Sequence, residues 1–358
     1  MILRTFSISL CFLSLNLLVI DSSQAETSEM PVGVYYFPGW SGDLKKWREN
    51  YGWNSIKEYP ERKPKLGWYD ESDPSVINKQ ADWIAGAGID YVVFDWYWNE
   101  RQKSFNTHAV DAFLLRSKKT PGFAFAWANH NDNIRRPDQF EHMVDTILSR
   151  YAKDSRYWGI DGKPVIFVVN GQRFIETEDA CCKRGSLIGS ATKVAKQRGF
   201  SGIYFVAGMP ATKYWVAQGL AAGFDGFSAY NIRRPIVGKG NESVLPPISY
   251  AELTSGYARV WDWMLSQPIN YLVPVSAGWD KRPWGGSKRA AEDFSRPVSP
   301  QQFERHFDEA LTLARSNARA KGVVICCWNE FGEGTYIEPT ENDGFEYLDA
   351  IKRSVERN

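Results

Sequence analysis

The chain has 358 residues, 43% hydrophobic and 24% charged, enough to enclose one large core without a second domain. Its 43 Lys and Arg nearly balance its 42 Asp and Glu, and no long basic run occurs, so neither nucleic acid nor an anionic membrane surface is indicated as a partner. The 15 Trp and 17 Tyr point instead to a neutral partner with apolar faces.

At the N-terminus, Arg4, the apolar stretch from Phe6 to Ile20 and the small residues Ser23 and Ala25 read as a cleavable export leader over residues 1–25. The expected product is a periplasmic or secreted domain covering residues 26–358. An uncleaved anchor is the alternative, but the run is short and interrupted by Ser7, Ser9, Ser14 and Asn16. No later run is long enough to span a bilayer.

After a polar linker, Pro31 to Trp40 reads as a first strand closing in a Pro-Gly turn. A helix opens at Pro74 and stops at Gly86 and Gly88, followed by a strand from Ile89 to Trp98. The alternation continues with a helix over Thr107 to Lys118, a strand Phe123 to Asn129, a helix Pro137 to Tyr151, a strand Val165 to Asn170 and a helix Leu187 to Arg198. Further strands are expected at Ile203 to Gly208, Gly226 to Asn231 and Tyr271 to Ala277, with helices at Tyr214 to Ala222 and Tyr250 to Leu265. A helix Pro300 to Asn317 precedes the eighth strand, which begins at Gly322, and Tyr347 to Glu356 closes the chain as a helix. Eight strands alternating with eight helices predict an α/β fold, a (β/α)8 TIM barrel of one domain with long βα loops. A doubly wound open sheet is disfavoured, because no GxGxxG or P-loop follows the first strand.

Four cysteines lie beyond the leader, as the adjacent pairs Cys181-Cys182 and Cys326-Cys327. Neither has CxxC spacing, and strand neighbours point to opposite faces, so Cys326 and Cys327 are expected to pack separately, with no disulfide required. Cys181-Cys182 is expected in a loop after the fourth strand. The four histidines, His108, His130, His142 and His306, show no paired spacing, and no GxSxG occurs. No metal, no cofactor and no Ser-His-Asp chemistry are expected.

In a barrel the C-terminal strand ends converge on one mouth. The residues finishing the strands are Tyr35, Tyr36 and Trp40; Asp95, Trp96 and Trp98; Trp127, Asn129 and His130; Asn170 and Gln172; Met209; Tyr230 and Asn231; Trp279 and Asp280; and Asn329, Glu330 and Glu333. Aromatic faces with amides and carboxylates suit an oligosaccharide or polysaccharide, the rings stacking on sugar faces and the polar groups fixing hydroxyls. For any single Trp, packing is the competing role; for Asp95, pairing with an Arg or capping a loop. Glu330 and Glu333 are the candidate catalytic acids. Close carboxyls in an apolar setting push their pKa values apart, so that one serves as acid and the other as base, the pair that glycoside hydrolysis needs.

The set YYFPGW (35–40), GIDYVVFDWYW (88–98), FAFAWANHN (123–131) and WNEFGEGTYIEP (328–339) resembles glycoside hydrolase family 99 and its WbsX-type relatives over about residues 31 to 340. The resemblance implies a (β/α)8 barrel acting as a retaining, usually endo-acting, α-glycosidase without an ordinary nucleophile. The first Glu of E-x-x-E, here Glu330, would take the proton of the sugar's own 2-hydroxyl, giving a 1,2-anhydro intermediate. The second, Glu333, would protonate the departing oxygen. Family 99 endomannosidases carry Trp-His between these acids, whereas this chain has Phe331-Gly332, which places it nearer the WbsX-type branch. Members of that branch are often labelled glycosyltransferases, so a polysaccharide-building transferase remains an alternative, as does a catalytically silent sugar-binding barrel. No DxD motif occurs.

Overall fold

The computed structural model describes residues 30–40, 52–99, 101–130, 134–238, 247–294 and 299–357. The expected leader and its cleavage point lie outside the described residues. Eight parallel strands form the barrel: β1 (Val32–Tyr36), β2 (Tyr91–Trp98), β3 (Gly122–Trp127), β4 (Lys163–Val168), β5 (Tyr204–Gly208), β6 (Gly226–Ser228), β7 (Asn270–Ser276) and β8 (Ala320–Cys326). The sheet closes because β1 pairs on one side with β2, Gly33 opposite Tyr91, and on the other with β8, Val32 opposite Val323. Closure leaves no open edge between first and last strand.

The helices around it are α1 (Pro74–Gly86), α2 (His108–Leu114), α3 (Pro137–Arg150), α4 (Gly171–Cys181), α5 (Ser186–Gln197), α6 (Lys213–Ala222), α7 (Tyr250–Ser266), α8 (Pro300–Arg315) and α9 (Glu346–Arg357). Proline stands at the first position of α1, α3 and α8, where its missing N–H is not needed and its φ already suits a helix. Asp73 caps α1 by accepting from the Ser75 N–H at 2.8 Å. Among the described residues no helix is long and apolar enough to cross a membrane.

Two elements differ from expectation. The stretch after β4 holds a helix, α4, capped by Asn170, which accepts from the Arg173 N–H at 3.0 Å. Its periodicity is hidden because a fully buried position is an acid. Glu178 accepts from the N–H groups of Gly185 (2.9 Å) and Leu187 (3.0 Å), placing its carboxylate at the start of α5. The cysteines are the second correction. Cys181, at the end of α4, is bonded to Cys182, and Cys326, at the end of β8, is bonded to Cys327. The second pair departs from strand alternation: its peptide is cis and its two sulfurs are bonded to each other. The two pairs are not bridged to one another.

Strand residues of one parity fill the barrel interior, including Tyr35, Tyr91, Val93, Ala124, Ala126, Phe167, Val206 and Val324. Those of the other parity, such as Val34, Phe94, Trp96 and Phe125, pack outward under the helices. Tyr91 crosses the interior and stacks on Trp158 with ring centroids 3.7 Å apart. It has room because residue 33 is glycine. A Cβ there would lie 2.3 Å from the Tyr91 ring. Gly33→Ala is therefore expected to destabilise the fold by about 1–3 kcal/mol in urea unfolding, through overpacking. Pairing it with Tyr91→Leu should recover part of the loss, and an unchanged unfolding midpoint in the single variant would refute this account of the barrel floor.

Candidate active site

Beyond β8 the chain does not end in a plain loop. Asn329–Glu330 (β9) and Thr335–Tyr336 (β10) form a two-residue antiparallel hairpin whose turn, Phe331–Gly334, carries Glu333. The hairpin is fastened to the barrel from three sides. Trp328 donates its N–H to the Tyr35 carbonyl (2.7 Å), and Thr335 donates its hydroxyl to the Cys326 carbonyl (2.7 Å). Asn329 accepts from the Phe37 N–H (2.9 Å) and donates to the Phe37 carbonyl (3.0 Å) and to Glu71 (2.9 Å).

The turn is held by buried Arg62, which donates to the carbonyls of Phe331 (2.7 Å) and Asp280 (3.1 Å) and pairs with the Asp280 carboxylate. The fork of a guanidinium is what allows all three contacts at once. Asp280 in turn donates its N–H to the Glu333 carbonyl at 2.7 Å. Gly334 is obligatory here: its φ is +66°, and a Cβ would meet the Asp280 backbone at 2.8 Å. Gly332 is required for another reason, because the Trp284 indole occupies the space of its missing side chain, 2.0 Å from an ideal Cβ. Phe331 packs inward against Trp40, Trp53 and Tyr336.

Glu330 and Glu333 border a cavity of about 280 Å³ at the barrel mouth, lined also by Phe37, Asp95, Tyr97, Asn106, His130, Val169, Tyr230 and Trp284. Of the residues expected at the mouth, Asp95, His130, Tyr230, Glu330 and Glu333 line it. Tyr35 lies one layer below, its ring 4.7 Å from that of Tyr230. The others do not face the cavity. Trp96 and Trp98 stack on each other outside the barrel, and Trp127 packs against Phe140 and Phe174. Trp40 is fully buried and stacked on Trp53. Tyr36 donates to Gln80 (2.8 Å), and Asn129 clamps the Asn170 backbone (2.8 Å each way). Asn231 accepts from Tyr257 (2.9 Å) and Ser276 (3.0 Å). Trp279 supports Arg233 over its ring face, Asp280 anchors Arg62, and Asn329 is the clamp already described.

The reason is parity. A strand alternates faces, so with Asp95 pointing in, Tyr97 also points in and Trp96 and Trp98 point out. Tyr97 was legible by that rule. Asn106, in a left-handed turn (φ 55°), and Trp284, in a long loop, carry no such periodic signal.

Burial dominates the electrostatics. Glu330 and Asp95 are both pushed well above the ordinary carboxylate range, first by loss of water and then by the negative charges beside them, with Tyr230 opposing. Glu333, which keeps part of its surface in the cavity, is raised to about 7, the Arg233 and Lys281 charges limiting the rise. Behind the hairpin, Glu338 accepts from Tyr69 (2.6 Å) and Gln80 (3.0 Å) and is raised to about 8, again by burial. Among the described residues no group of three or more His, Cys, Asp or Glu is arranged to hold a metal ion.

Glu338 has a consequence for stability. Between the ordinary Glu value and about 8 the folded chain keeps a proton that the unfolded chain has lost. The stabilisation is thus complete below the unfolded value and is lost as pH rises through about 8. The melting temperature should fall over that range, and Glu338→Gln should fall less steeply. An identical slope in the variant would contradict the assignment.

The family described as Glycosyltransferase WbsX matches residues 56–351. Among solved structures, the fold is similar to a GH99 endo-alpha-mannosidase from Bacteroides thetaiotaomicron, at 15% identity and a TM-score of 0.65 over 92% of this chain and 98% of that one. It is also similar to a protein described as glycoside hydrolase-like, at 14% identity and a TM-score of 0.66 over 91% and 94%. A curated relative, "Uncharacterized protein WxcX" of Xanthomonas campestris pv. campestris (strain B100), is 23% identical over 325 residues, which is 82% of this chain and 43% of the relative. The chain thus spans less than half the length of that relative. At these identities the structural likeness is one of fold.

Proposed function

The chain belongs to the WbsX family, and from that premise we propose that it is a glycoside hydrolase cleaving an α-linked oligosaccharide or polysaccharide with retention, internally in the chain. The observation that carries the reading is the placement of Glu330 and Glu333 on one clamped hairpin, both bordering the same cavity, with Glu333 enclosed enough to hold a proton near neutrality. Two carboxyls in such a setting divide into an acid and a base.

Glu333, protonated below about pH 7, gives its proton to the glycosidic oxygen as the C1–O bond breaks. Glu330 takes the proton of the substrate's 2-hydroxyl, and that oxygen closes onto C1, so the electron pair lost with the leaving group is replaced by one from O2. Water then opens the 1,2-anhydro ring at C1, giving its proton to Glu333, while Glu330 returns its proton to O2. Two inversions at C1 give net retention. The apolar faces of Phe37, Tyr97 and Trp284 suit the C–H faces of a sugar ring, and His130 at the rim suits a hydroxyl.

A second reading is favoured by the description of the family as a glycosyltransferase. If a sugar hydroxyl replaces water in the second step, the same residues carry out transfer between glycans. Incubation with a panel of α-linked polysaccharides separates the two: new reducing ends mark hydrolysis, longer chains mark transfer, and binding without product marks neither.

Because Glu333 must be protonated, kcat/KM is expected to fall as pH rises through about 7. Glu333→Gln should lose about a hundredfold or more on polysaccharide yet keep much of its rate on a glycosyl fluoride, whose leaving group needs no proton. Glu330→Gln should be poor on both, and a 2-deoxy substrate should not be turned over. Equal responses of both variants to the activated leaving group would overturn the division of roles.

A further inference from the structure

Three oxygens in the cavity wall make more hydrogen-bond contacts than one hydroxyl hydrogen can supply. The Tyr230 hydroxyl lies 2.9 Å from Asp95 Oδ2 and 3.2 Å from Glu330 Oε1. A phenol brings one hydrogen, so it donates to one carboxyl, and the second contact is a hydrogen bond only if the other carboxyl brings a proton. With both ionised, a lone pair of the phenol would face a carboxylate oxygen in a buried site. Asp95 and Glu330 are only 6% and 4% exposed, and their remaining oxygens, Oδ1 and Oε2, are buried without a hydrogen-bond partner. Each carboxyl therefore shows one oxygen turned to Tyr230 and one left over.

We propose that Asp95 and Glu330 share a single proton through Tyr230, so that Asp95 and Tyr230 are positioning residues that determine when Glu330 is a base. This rests on the reading of Glu330 as the base toward the 2-hydroxyl. In the base-competent arrangement the Asp95 carboxyl donates to Tyr230 Oη, which donates to Glu330 Oε1 and leaves Glu330 ionised as the base. In the reverse arrangement Glu330 carries the proton and the two hydrogen bonds run the other way. Interconversion moves two hydrogens among three oxygens and leaves the net charge unchanged.

The titratable groups acting on this pair are Glu333 and Glu71 from the strand-end segments, with the phenols of Tyr35, Tyr97 and Tyr230 around it. The cations nearby, Arg233 and Lys281, act on Glu333. Burial and these like charges oppose a second ionisation, in the same direction as the hydrogen count. Asp95 therefore supplies a store for the proton that Glu330 must give up before it acts.

The test uses Asp95→Asn, Asp95→Ala and Tyr230→Phe in the full chain. An asparagine amide can donate to Tyr230 as a neutral Asp95 does, so Asp95→Asn should keep activity within about tenfold, while the other two lose about a hundredfold or more. The acidic limb of the pH profile should hold its place or rise slightly in Asp95→Asn, because Glu330 still ionises beside a neutral neighbour and only one site instead of two is left to give up the proton. Independently of any substrate, infrared difference spectra of wild type against Asp95→Asn near pH 6 should show one protonated-carboxyl band present only in the wild type, the bands of Glu333 and Glu338 cancelling between the two. An Asp95→Asn variant as inactive as Asp95→Ala, or one that keeps the band, overturns the proposal. Loss of the band with no turnover of any glycan would instead leave the shared proton standing and remove the hydrolase reading.

Discussion

Loss of water around a few carboxyls at the mouth of the barrel is the constraint on which the site depends. An ionised carboxylate taken out of water costs several kcal/mol unless it is paired, and Asp95 and Glu330 have a tyrosine where a cation would otherwise be. One proton between them is retained as a result. Asp280, equally buried, instead pairs with Arg62 and Arg282 and serves a structural role.

The surrounding architecture holds that arrangement in place. Glu71, fully buried, accepts from the Trp40 N–H (2.7 Å) and from Asn329, and so joins the loop after β1 to the hairpin bearing Glu330. Arg62 does the same for the turn bearing Glu333, tying it to the segment after β7. Acids of this kind hold their geometry only if their supports are rigid, and here the supports are themselves buried and hydrogen-bonded. Trp284 adds a cavity wall that depends on the absence of a side chain at Gly332. The two residues between the acids thus have separate tasks, Phe331 filling the packing behind the turn and Gly332 admitting an indole in front of it.

Much of the fold was legible in the sequence because its strands are long, apolar and bounded by Gly and Pro. The boundaries of α1 were readable from Asp73, Pro74 and Gly86, and β2 from an apolar and aromatic run interrupted only by Asp95. Reading failed where one residue served two demands. Glu178 is an acid at a buried helical position, so α4 looked like a loop. Cys326-Cys327 departs from strand alternation at a single peptide. The ring of aromatics at the strand ends was real in sequence but divided in space: counting residues to the strand end placed Trp96, Trp98 and Trp127 at the mouth, whereas the two-residue period turns them outward. Asp95, His130 and Tyr230 reach the cavity, and Tyr97 would have been found by stepping two residues on from Asp95. Trp284 and Asn106 come from loops, where no period exists to read.

The most direct measurement is the location of the protons themselves. Neutron diffraction from deuterated crystals held slightly below neutrality would show which carboxyl oxygens carry deuterons. The account predicts one deuteron on Glu333, one divided between Asp95 and Glu330, and the Tyr230 deuteron directed at whichever of that pair is bare. Asp95 and Glu330 both found without a deuteron, or Glu333 found ionised beside them, would contradict it.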